Sequence, residues 1–287
     1  MGKVLIAMSG GVDSSVAAYL MGQLGWDCLG ATMTLYRNED IGISRSRTCC
    51  SLEDVEDARS VANRLGMPYY VFNFSDEFRC QVMDRFAAAY ERGQTPNPCI
   101  DCNRYLKFRR LYDRASLMGC DTIATGHYAR IERENGRYLL KKALDTSKEQ
   151  SYVLYMLTQA QLSHTQLPLG ALHKTEVRAI AEEQGFYNAK KPDSQDICFV
   201  PDGDYVSFIT RCVGHESPTG PFVDREGCSD APTLPPCCPS SRISAARTAP
   251  ARMTASAAFF RVSRIAWIIM VIIPPVCFYS IFHPIMI

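Results

Sequence analysis

The chain has 287 residues, more than the usual single domain, so one α/β domain followed by a second unit is the starting expectation. Its 31 Lys and Arg against 30 Asp and Glu leave a net charge of +1, which excludes a globally basic nucleic-acid binder and confines any such contact to a local patch. The 13 cysteines would suit a secreted disulfide scaffold, but the N-terminus has no basic segment, long apolar core or small-residue cleavage site. Ile6 also stands where a myristoylation signal needs Ser or Thr. A cytoplasmic protein is expected, whose cysteines serve catalysis, metal binding or packing more often than bridging.

The apolar run Val4-Leu5-Ile6-Ala7-Met8 predicts a strand. Ser9-Gly10-Gly11-Val12-Asp13-Ser14-Ser15 follows it and opens the apolar Val16-Ala17-Ala18-Tyr19-Leu20, which predicts a tight turn into a helix N-terminus. Glycines let the backbone approach an anion, and first-turn N–H groups with the positive end of the helix dipole supply donors, so the stretch suits phosphate. No lysine follows the glycines as in a P-loop, and the spacing is not that of a dinucleotide turn. The bland alternative is an ordinary βα turn in which Asp13 or Ser14 caps the helix.

A second strand is expected over Cys28–Tyr36, then a polar loop containing Cys49-Cys50. Ser51-Leu52-Glu53-Asp54 reads as a capping box for a helix with Val55, Ala58, Val61, Ala62 and Leu65, stopped at Gly66 before Pro68. Tyr69–Phe74 predicts a third strand, Phe78–Tyr90 and Tyr105–Met118 two helices, and Asp121–Thr125 a further strand leading to Gly126-His127. Such alternation implies a parallel sheet covered on both faces, with ligands beyond the carboxyl ends of the strands, near Gly10, Met33 and Gly126.

After His127 the pattern changes. Ile131–Leu140 around Asn135-Gly136 signals a hairpin, and Tyr152–Leu162 and Lys174–Gln184 carry helical patterns. The expected organisation is a first domain over 1–145, a second over 146–227 and a compositionally foreign tail over 228–287. That tail has no lysine, a single acid at Asp230 and runs such as Pro235-Pro236-Cys237-Cys238-Pro239. Ile265–Phe282 is uncharged and long enough to span a bilayer, yet Pro274-Pro275 breaks its middle, so a soluble protein is expected.

Thr95-Pro96-Asn97-Pro98-Cys99-Ile100-Asp101-Cys102-Asn103-Arg104 reads as a proline-bounded loop entering a helix and offering two thiols at CxxC spacing. Cys102, near the helix N-terminus and beside Arg104, has surroundings that favour thiolate; an inert, buried cysteine is the alternative. Structural zinc would need a second pair, and the adjacent Cys49-Cys50 is poorly spaced for it. Cys198, in Lys190-Lys191-Pro192-Asp193-Ser194-Gln195-Asp196-Ile197-Cys198-Phe199, reads as lying where a loop enters a strand, with two lysines to favour thiolate or with plain burial. Arg104, Lys107, Arg110 and Arg114 share one helix face and Phe108, Leu111, Tyr112 and Ala115 another, a stripe suited to nucleic-acid phosphates or simply a solvated face.

The Ser-Gly-Gly-x-Asp-Ser stretch resembles the PP-loop of the ATP pyrophosphatases. With Asn97-Pro98-Cys99-x-x-Cys102-Asn103-Arg104, Ala124-Thr125-Gly126-His127-Tyr128, Lys148-Glu149-Gln150-Ser151-Tyr152 and Asp193–Phe199 following in order, residues 1 to about 227 resemble the bacterial tRNA-specific 2-thiouridylases. The resemblance implies a doubly wound α/β sheet of the PP-loop type with an appended smaller central domain. It also implies ATP-dependent adenylation of the wobble uridine 2-oxygen in tRNAs for Lys, Glu and Gln, then sulfur transfer from a persulfide. By motif, Cys198 would carry the persulfide and Cys102 act as nucleophile, passing through a transient disulfide. Ala7, Met8, Ser9, Gly10, Gly11, Val12, Asp13, Ser14, Met33 and Gly126 would bind ATP, with Asp13 helping to hold Mg2+. Asn97, Pro98 and Cys99 would surround the target base, and Lys148, Glu149 and Gln150 would face the tRNA. The implied partners are tRNA and a persulfide donor such as a cysteine desulfurase or relay protein, with no membrane.

Two departures shape the expectations. Some relatives carry aspartate where Cys99 stands, which leaves open an iron–sulfur cluster on Cys99, Cys102 and Cys198. The family's C-terminal β-barrel has no counterpart after Gly227, so a frameshifted or aberrant end is expected. The competing readings are another PP-loop adenylating enzyme that needs no paired thiols, a truncated chain that binds ATP but is inactive on tRNA, and a membrane-tethered form through Ile265–Phe282.

Overall fold

In the computed structural model, the described residues are 2–41, 52–193, 197–201 and 203–216. The first compact unit is Met1–Pro201. It opens with β1 (Lys3–Ala7), α1 (Val12–Gln23) and β2 (Asp27–Thr34), then the single turn α2 (Asn38–Ile41). Next come α3 (Leu52–Arg64) and β3 (Tyr69–Asn73).

The next rod is α4 (Ser75–Phe78), a π-helical stretch over Arg79–Met83 and α5 (Asp84–Glu91). A second rod follows as α6 (Pro98–Asp101), a π-helical stretch over Cys102–Arg110 and α7 (Leu111–Leu117). β4 (Thr122–Thr125), the hairpin β5 (Ala129–Glu134) and β6 (Arg137–Lys142), α8 (Gln159–Ser163), β7 (Thr165–Gln166) and α9 (Lys174–Glu183) complete the unit.

Among the described residues the main sheet is five-stranded and parallel, in the order β3-β2-β1-β4-β7. The order reverses at β1, where β2 lies on one side and β4 on the other, which is the switch point at which open α/β sheets leave a crevice. Ala7 is in register with Ala31 and with Thr125, so the chain leaving β1 emerges between Met33 and Gly126. The expected doubly wound α/β sheet is the observed one.

Strand alternation sends Val4 and Ile6 to one face, where they pack with Val16, Ala17 and Met21 of α1, Ala58, Val61 and Ala62 of α3, and Val177 and Ala181 of α9. Leu5 takes the opposite face and is fully buried, as are Leu106, Leu111 and Ala115 of the second rod. Both faces are covered, which is why β1 reads as a continuous apolar run instead of an alternating one.

Several elements differ from the sequence expectation. The helix expected from Tyr105 begins at Pro98, because Asn97 accepts a hydrogen bond from the Cys99 N–H (3.0 Å) and Pro98 occupies the first helical position, where its missing N–H costs nothing. The helix expected from Phe78 begins at Ser75, whose N–H and hydroxyl both bond the Asn73 side chain (3.0 and 2.7 Å). Tyr152–Leu162 is not one helix: a 3₁₀ turn over Ser151–Val153 is separated from α8, which starts at a Thr158–Gln161 capping box.

The second unit, Asp202–Ile287, contributes α10 (Tyr205–Val213), capped by the Asp204 side chain and ended by Gly214 at φ 80°. Expectations for Cys49, Cys50, Ser51, the 217–287 tail, its missing barrel and Ile265–Phe282 fall outside the described residues. Among the described residues no helix is long and apolar enough to cross a membrane.

Candidate nucleotide and thiol site

The loop after β1 is fixed by short polar side chains bonded to its main chain and by glycine geometry. The Met8 N–H bonds the Ala31 carbonyl (2.8 Å), and Thr32 Oγ1 donates to the Met8 carbonyl (2.7 Å). Gly10 sits at φ 75°, and a Cβ placed there would lie 2.4 Å from the Asp54 carbonyl oxygen of α3, so only glycine fits. On the other side a Cβ on Gly126 would fall 2.8 Å from the Ser14 nitrogen. Gly10 therefore lets the loop pack against α3, and Gly126 lets the end of β4 pack against the first turn of α1.

Gly11 is the N-cap but gives no side-chain bond to the first turn, so the amides that open α1 have no side-chain cap from it. Ser14 Oγ turns back to the Gly11 carbonyl (3.0 Å) and accepts from the Ser9 N–H (3.2 Å), closing the loop on itself. The bland reading required Asp13 or Ser14 to cap the helix, and neither does. Buried Asn188 braces the loop from outside, donating to the Gly10 carbonyl (2.8 Å) and Ser15 Oγ (3.0 Å). Its Oδ1 is buried with no hydrogen-bond partner, an acceptor left beside the loop.

Asp13 faces away from the role of metal ligand. Both its carboxylate oxygens accept from Lys174 Nζ (2.7 and 2.8 Å), and Oδ1 also accepts from the Tyr128 hydroxyl (2.8 Å). Lys174 is buried at the start of α9 and also pairs with Asp193 (2.8 Å). Asp193 in turn takes Lys148 (2.7 Å) and Arg178 (2.9 Å). Desolvation raises the Asp193 carboxyl, but the bonds from Lys148 and Lys174 overcome it and hold the pKa at about 2. Nearby Asp145 is held at about 2 by the Ser147 hydroxyl and the Lys174 N–H. Burial keeps His127 neutral, its pKa lowered well below the usual value, with Nδ1 2.8 Å from Thr125 Oγ1.

Tyr128 falls inside a motif quoted from the sequence, but no motif marked Lys174 or Asn188 as site residues, because their partners lie 161 and more than 170 residues away in the chain.

The thiols sit on the second rod and on the 197–201 segment. Cys99 and Cys102 lie on helix and not in a loop, Cys102 being the first residue of the π-helical stretch. Crowding desolvates the Cys99 sulfur and raises its pKa, with Lys107 opposing, so Cys99 is poorly disposed to ionise even though the residue keeps solvent contact. Cys198 is exposed in a turn, not entering a strand. Its carbonyl accepts from the Tyr36 hydroxyl (2.6 Å), and Phe199 is wedged edge-on between Phe78 and Phe86 at 5.6 and 5.4 Å.

Lys191, expected beside Cys198, reaches instead to Asp54 and Asp57 of α3 (2.6 Å each). The rods carrying Phe86 and Cys102 are joined by an Arg85–Asp101 pair (3.1 Å), and the Arg85 guanidinium lies 5.2 Å from the Tyr105 ring. No group of three or more His, Cys, Asp or Glu side chains is arranged for a metal among the described residues.

Of the residues expected at tRNA, Lys148 is tied to Asp193, Glu149 accepts from the Ser151 N–H (2.6 Å), and Gln150 accepts from the Tyr128 N–H (3.0 Å). Asn97 and Cys99 are exposed and Pro98 is buried. In the basic stripe Arg104, Arg110 and Arg114 are exposed and Lys107 is half-buried, while on the other face Phe108, Leu111 and Ala115 are buried and Tyr112 is half-buried. Arg110 is paired with Glu77 (2.9 Å).

A parallel sheet with a Ser-Gly-Gly-x-Asp-Ser turn at its switch point, leading into a helix N-terminus, defines an open α/β protein with its ligand crevice at the end of β1. Residues 2–202 match the family described as tRNA methyl transferase HUP domain, and the chain belongs to that family. It is 52% identical over 227 residues to the tRNA-specific 2-thiouridylase MnmA of Clostridioides difficile, a match covering 78% of this chain and 63% of that protein. The namesake from Lachnoclostridium phytofermentans is 52% identical over 229 residues, 79% of this chain and 64% of that one. The chain thus spans less than two thirds of the length of these curated relatives. Among solved structures, a 4-thiouridine synthetase in complex with RNA and ATP overlaps 70% of this chain and 45% of its own, at 19% identity and TM-score 0.44, a distant likeness of outline.

Proposed function

We propose that this protein is an ATP-dependent tRNA uridine 2-sulfurtransferase acting in the cytoplasm on the wobble position of tRNAs for Lys, Glu and Gln. The observation that carries the reading is the turn at the switch point, where α1 opens on a glycine N-cap without a side-chain bond and Gly10 and Gly126 pack closely around the turn. The relatives named 2-thiouridylase support sulfur over methyl as the transferred group.

The loop and Gly126 receive the polyphosphate, and residues Ala7–Ser14 with Met33 frame the nucleotide. Attack of the uracil 2-oxygen on the α-phosphorus releases pyrophosphate and leaves AMP on that oxygen, a better leaving group than the original carbonyl oxygen. A persulfide on Cys198, loaded by an external donor, then supplies sulfur. The Cys102 thiolate attacks the Cys198 Sγ, expelling hydrosulfide and forming a Cys102–Cys198 disulfide; hydrosulfide displaces AMP, and an external dithiol reduces the disulfide for the next cycle. Asn97, Pro98 and Cys99 border the target base, and the 148–150 segment with the exposed arginines of the second rod meets the tRNA. Both Asp13 oxygens are engaged by Lys174 and Tyr128, so for Asp13 to help hold a magnesium ion arriving with ATP it would have to exchange one of these bonds for the metal.

The test is incubation of the 287-residue chain with ATP, a persulfide donor and unmodified tRNA, scoring pyrophosphate and 2-thiouridine. Both products are expected. Absence of tRNA-dependent pyrophosphate sinks the proposal; pyrophosphate without 2-thiouridine favours the chain as a truncated, thiolation-incompetent product. Full thiolation by both Cys102→Ser and Cys198→Ser favours an adenylating enzyme of another kind.

A further inference from the structure

The 3₁₀ turn Ser151–Val153 is pinned at both ends. On one side the Gln150 N–H donates to the Tyr128 carbonyl (2.8 Å), and the Gln150 side-chain oxygen accepts from the Tyr128 N–H (3.0 Å). On the other the Val153 carbonyl accepts from Nδ2 of buried Asn103 (3.1 Å), the residue after Cys102. The turn is thus a strut from the end of β4, beside the nucleotide loop, to the rod that carries Cys99 and Cys102. Tyr152 stands between the two pins and is 59% exposed. Crowding raises the pKa of its hydroxyl, and Cys99 and Glu149 add to the effect, which puts the side chain within electrostatic reach of Cys99. We propose that the Tyr152 ring is the platform on which a uracil drawn out of the RNA base stack is held for reaction.

A base inside an RNA stack does not present its 2-oxygen to a bound nucleotide, so it must leave the stack and lose its neighbours. An aromatic face on the protein replaces that stacking. The other rings of the two elements joined by the strut are occupied. His127 is buried with Phe108 (6.0 Å between centroids), and Tyr112 stacks on His164 (4.9 Å). Tyr105 has the Arg85 and Arg104 guanidinium groups 5.2 and 5.4 Å from its centroid. Tyr128 is buried and gives its hydroxyl to Asp13 (2.8 Å). Tyr152 is exposed and, among the described residues, has no ring or cation over it. Its pinned turn needs no ordering when a base arrives, which saves affinity.

The inference rests on the proposal that this chain binds ATP and adenylates a tRNA uridine, and the experiment keeps the two apart. The full chain is compared with Tyr152→Phe, which keeps the ring, and Tyr152→Leu, which keeps apolar bulk without it. An anticodon stem–loop RNA with 5-fluorouridine at the wobble position is bound in the presence of ATP carrying a methylene group between its α and β phosphates, so that no reaction occurs. Stacking on the ring should move the fluorine NMR resonance upfield in the wild type and in Tyr152→Phe, and Tyr152→Leu should lose that displacement. With natural tRNA and ATP, kcat/KM for pyrophosphate release should fall about fivefold to 150-fold in Tyr152→Leu and stay near wild type in Tyr152→Phe. ATP affinity without RNA, read by calorimetry, should be the same in all three.

Should Tyr152→Leu not fold, Tyr152→Gln carries the same expectation. A wild type that binds the RNA without an upfield displacement overturns the inference alone. So does Tyr152→Leu with an unchanged displacement and rate, or Tyr152→Phe as impaired as Tyr152→Leu. Weaker ATP binding by Tyr152→Leu without RNA assigns the ring to adenine and also overturns it. Failure of the wild type to bind ATP or the RNA overturns the reading on which the inference rests, and the inference with it.

Discussion

The phosphate loop and the two thiol-bearing segments are held in opposite ways. Residues 9–15 are fixed by Ser14 side-chain bonds to the loop's own main chain, by Gly10, which no other residue can replace, and by a buried asparagine. Cys102 and Cys198 sit on elements joined by a half-exposed ion pair, a tyrosine hydroxyl and an aromatic wedge. A group that must bind a rigid polyphosphate is best pre-formed, since ordering it on binding would cost affinity. Thiols that must meet a donor, a base and each other need a softer mounting.

The largest expected effect separates the two regions outright. Cys102→Ser and Cys198→Ser should each lower 2-thiouridine formation roughly a thousandfold, about 4 kcal/mol of barrier, while tRNA-dependent pyrophosphate release persists. Parallel loss of pyrophosphate in both variants would mean that the thiol segments are part of the nucleotide site.

Gly10→Ala attacks the other region. Positive φ costs a non-glycine residue about 1–2 kcal/mol and the contact with the Asp54 backbone about 1–3 more, so urea unfolding should reveal a loss of roughly 2–5 kcal/mol together with loss of ATP binding. Wild-type stability in that variant would show that the loop is not as tightly built as described.

Asn188→Ala should cost roughly 1–3 kcal/mol by leaving the buried Gly10 carbonyl with fewer donors, and should weaken ATP binding without altering the thiolation-to-pyrophosphate ratio.

Acid titration tests the ion network between the regions. Asp145 and Asp193 have pKa values near 2, depressed from 3.8, so their stabilisation is complete above about pH 4 and is lost as the pH falls through 2. Circular dichroism should show a loss in that window that is shallower in Asp193→Asn. The smallest effect belongs to Arg85→Ala, whose exposed pair with Asp101 should contribute no more than about 1 kcal/mol to the melting equilibrium.

The sheet was legible because β1, β2 and β4 are buried on both faces and their apolar runs are bounded by glycine. The loop was legible because its conformation is a local property of seven consecutive residues. Helix starts at Ser75 and Pro98 escaped, although Asn73 and Asn97 are the side chains that cap them, because Asn73 was read as part of a strand and Asn97 as part of a proline-bounded loop. Tyr152–Leu162 misled because Val153, Leu154 and Leu157 are buried one by one against other elements instead of along a helical stripe. The motifs held Asp13, Tyr128, Lys148 and Asp193, but nothing in the chain showed that Lys174 joins them: an ion pair between residues 161 apart leaves no period and no spacing.

The π-helical stretch that begins at Cys102 has a consequence for how this chain tolerates insertion and deletion. Each residue there adds less rotation than in an α-helix, so the nine residues from Cys102 to Arg110 set a phase between the thiol and the buried face of α7. Removing one residue between Asn103 and Arg110 changes that phase, so it should turn Cys102 relative to the buried face of α7 and disturb the packing of the fully buried Leu106 and Phe108.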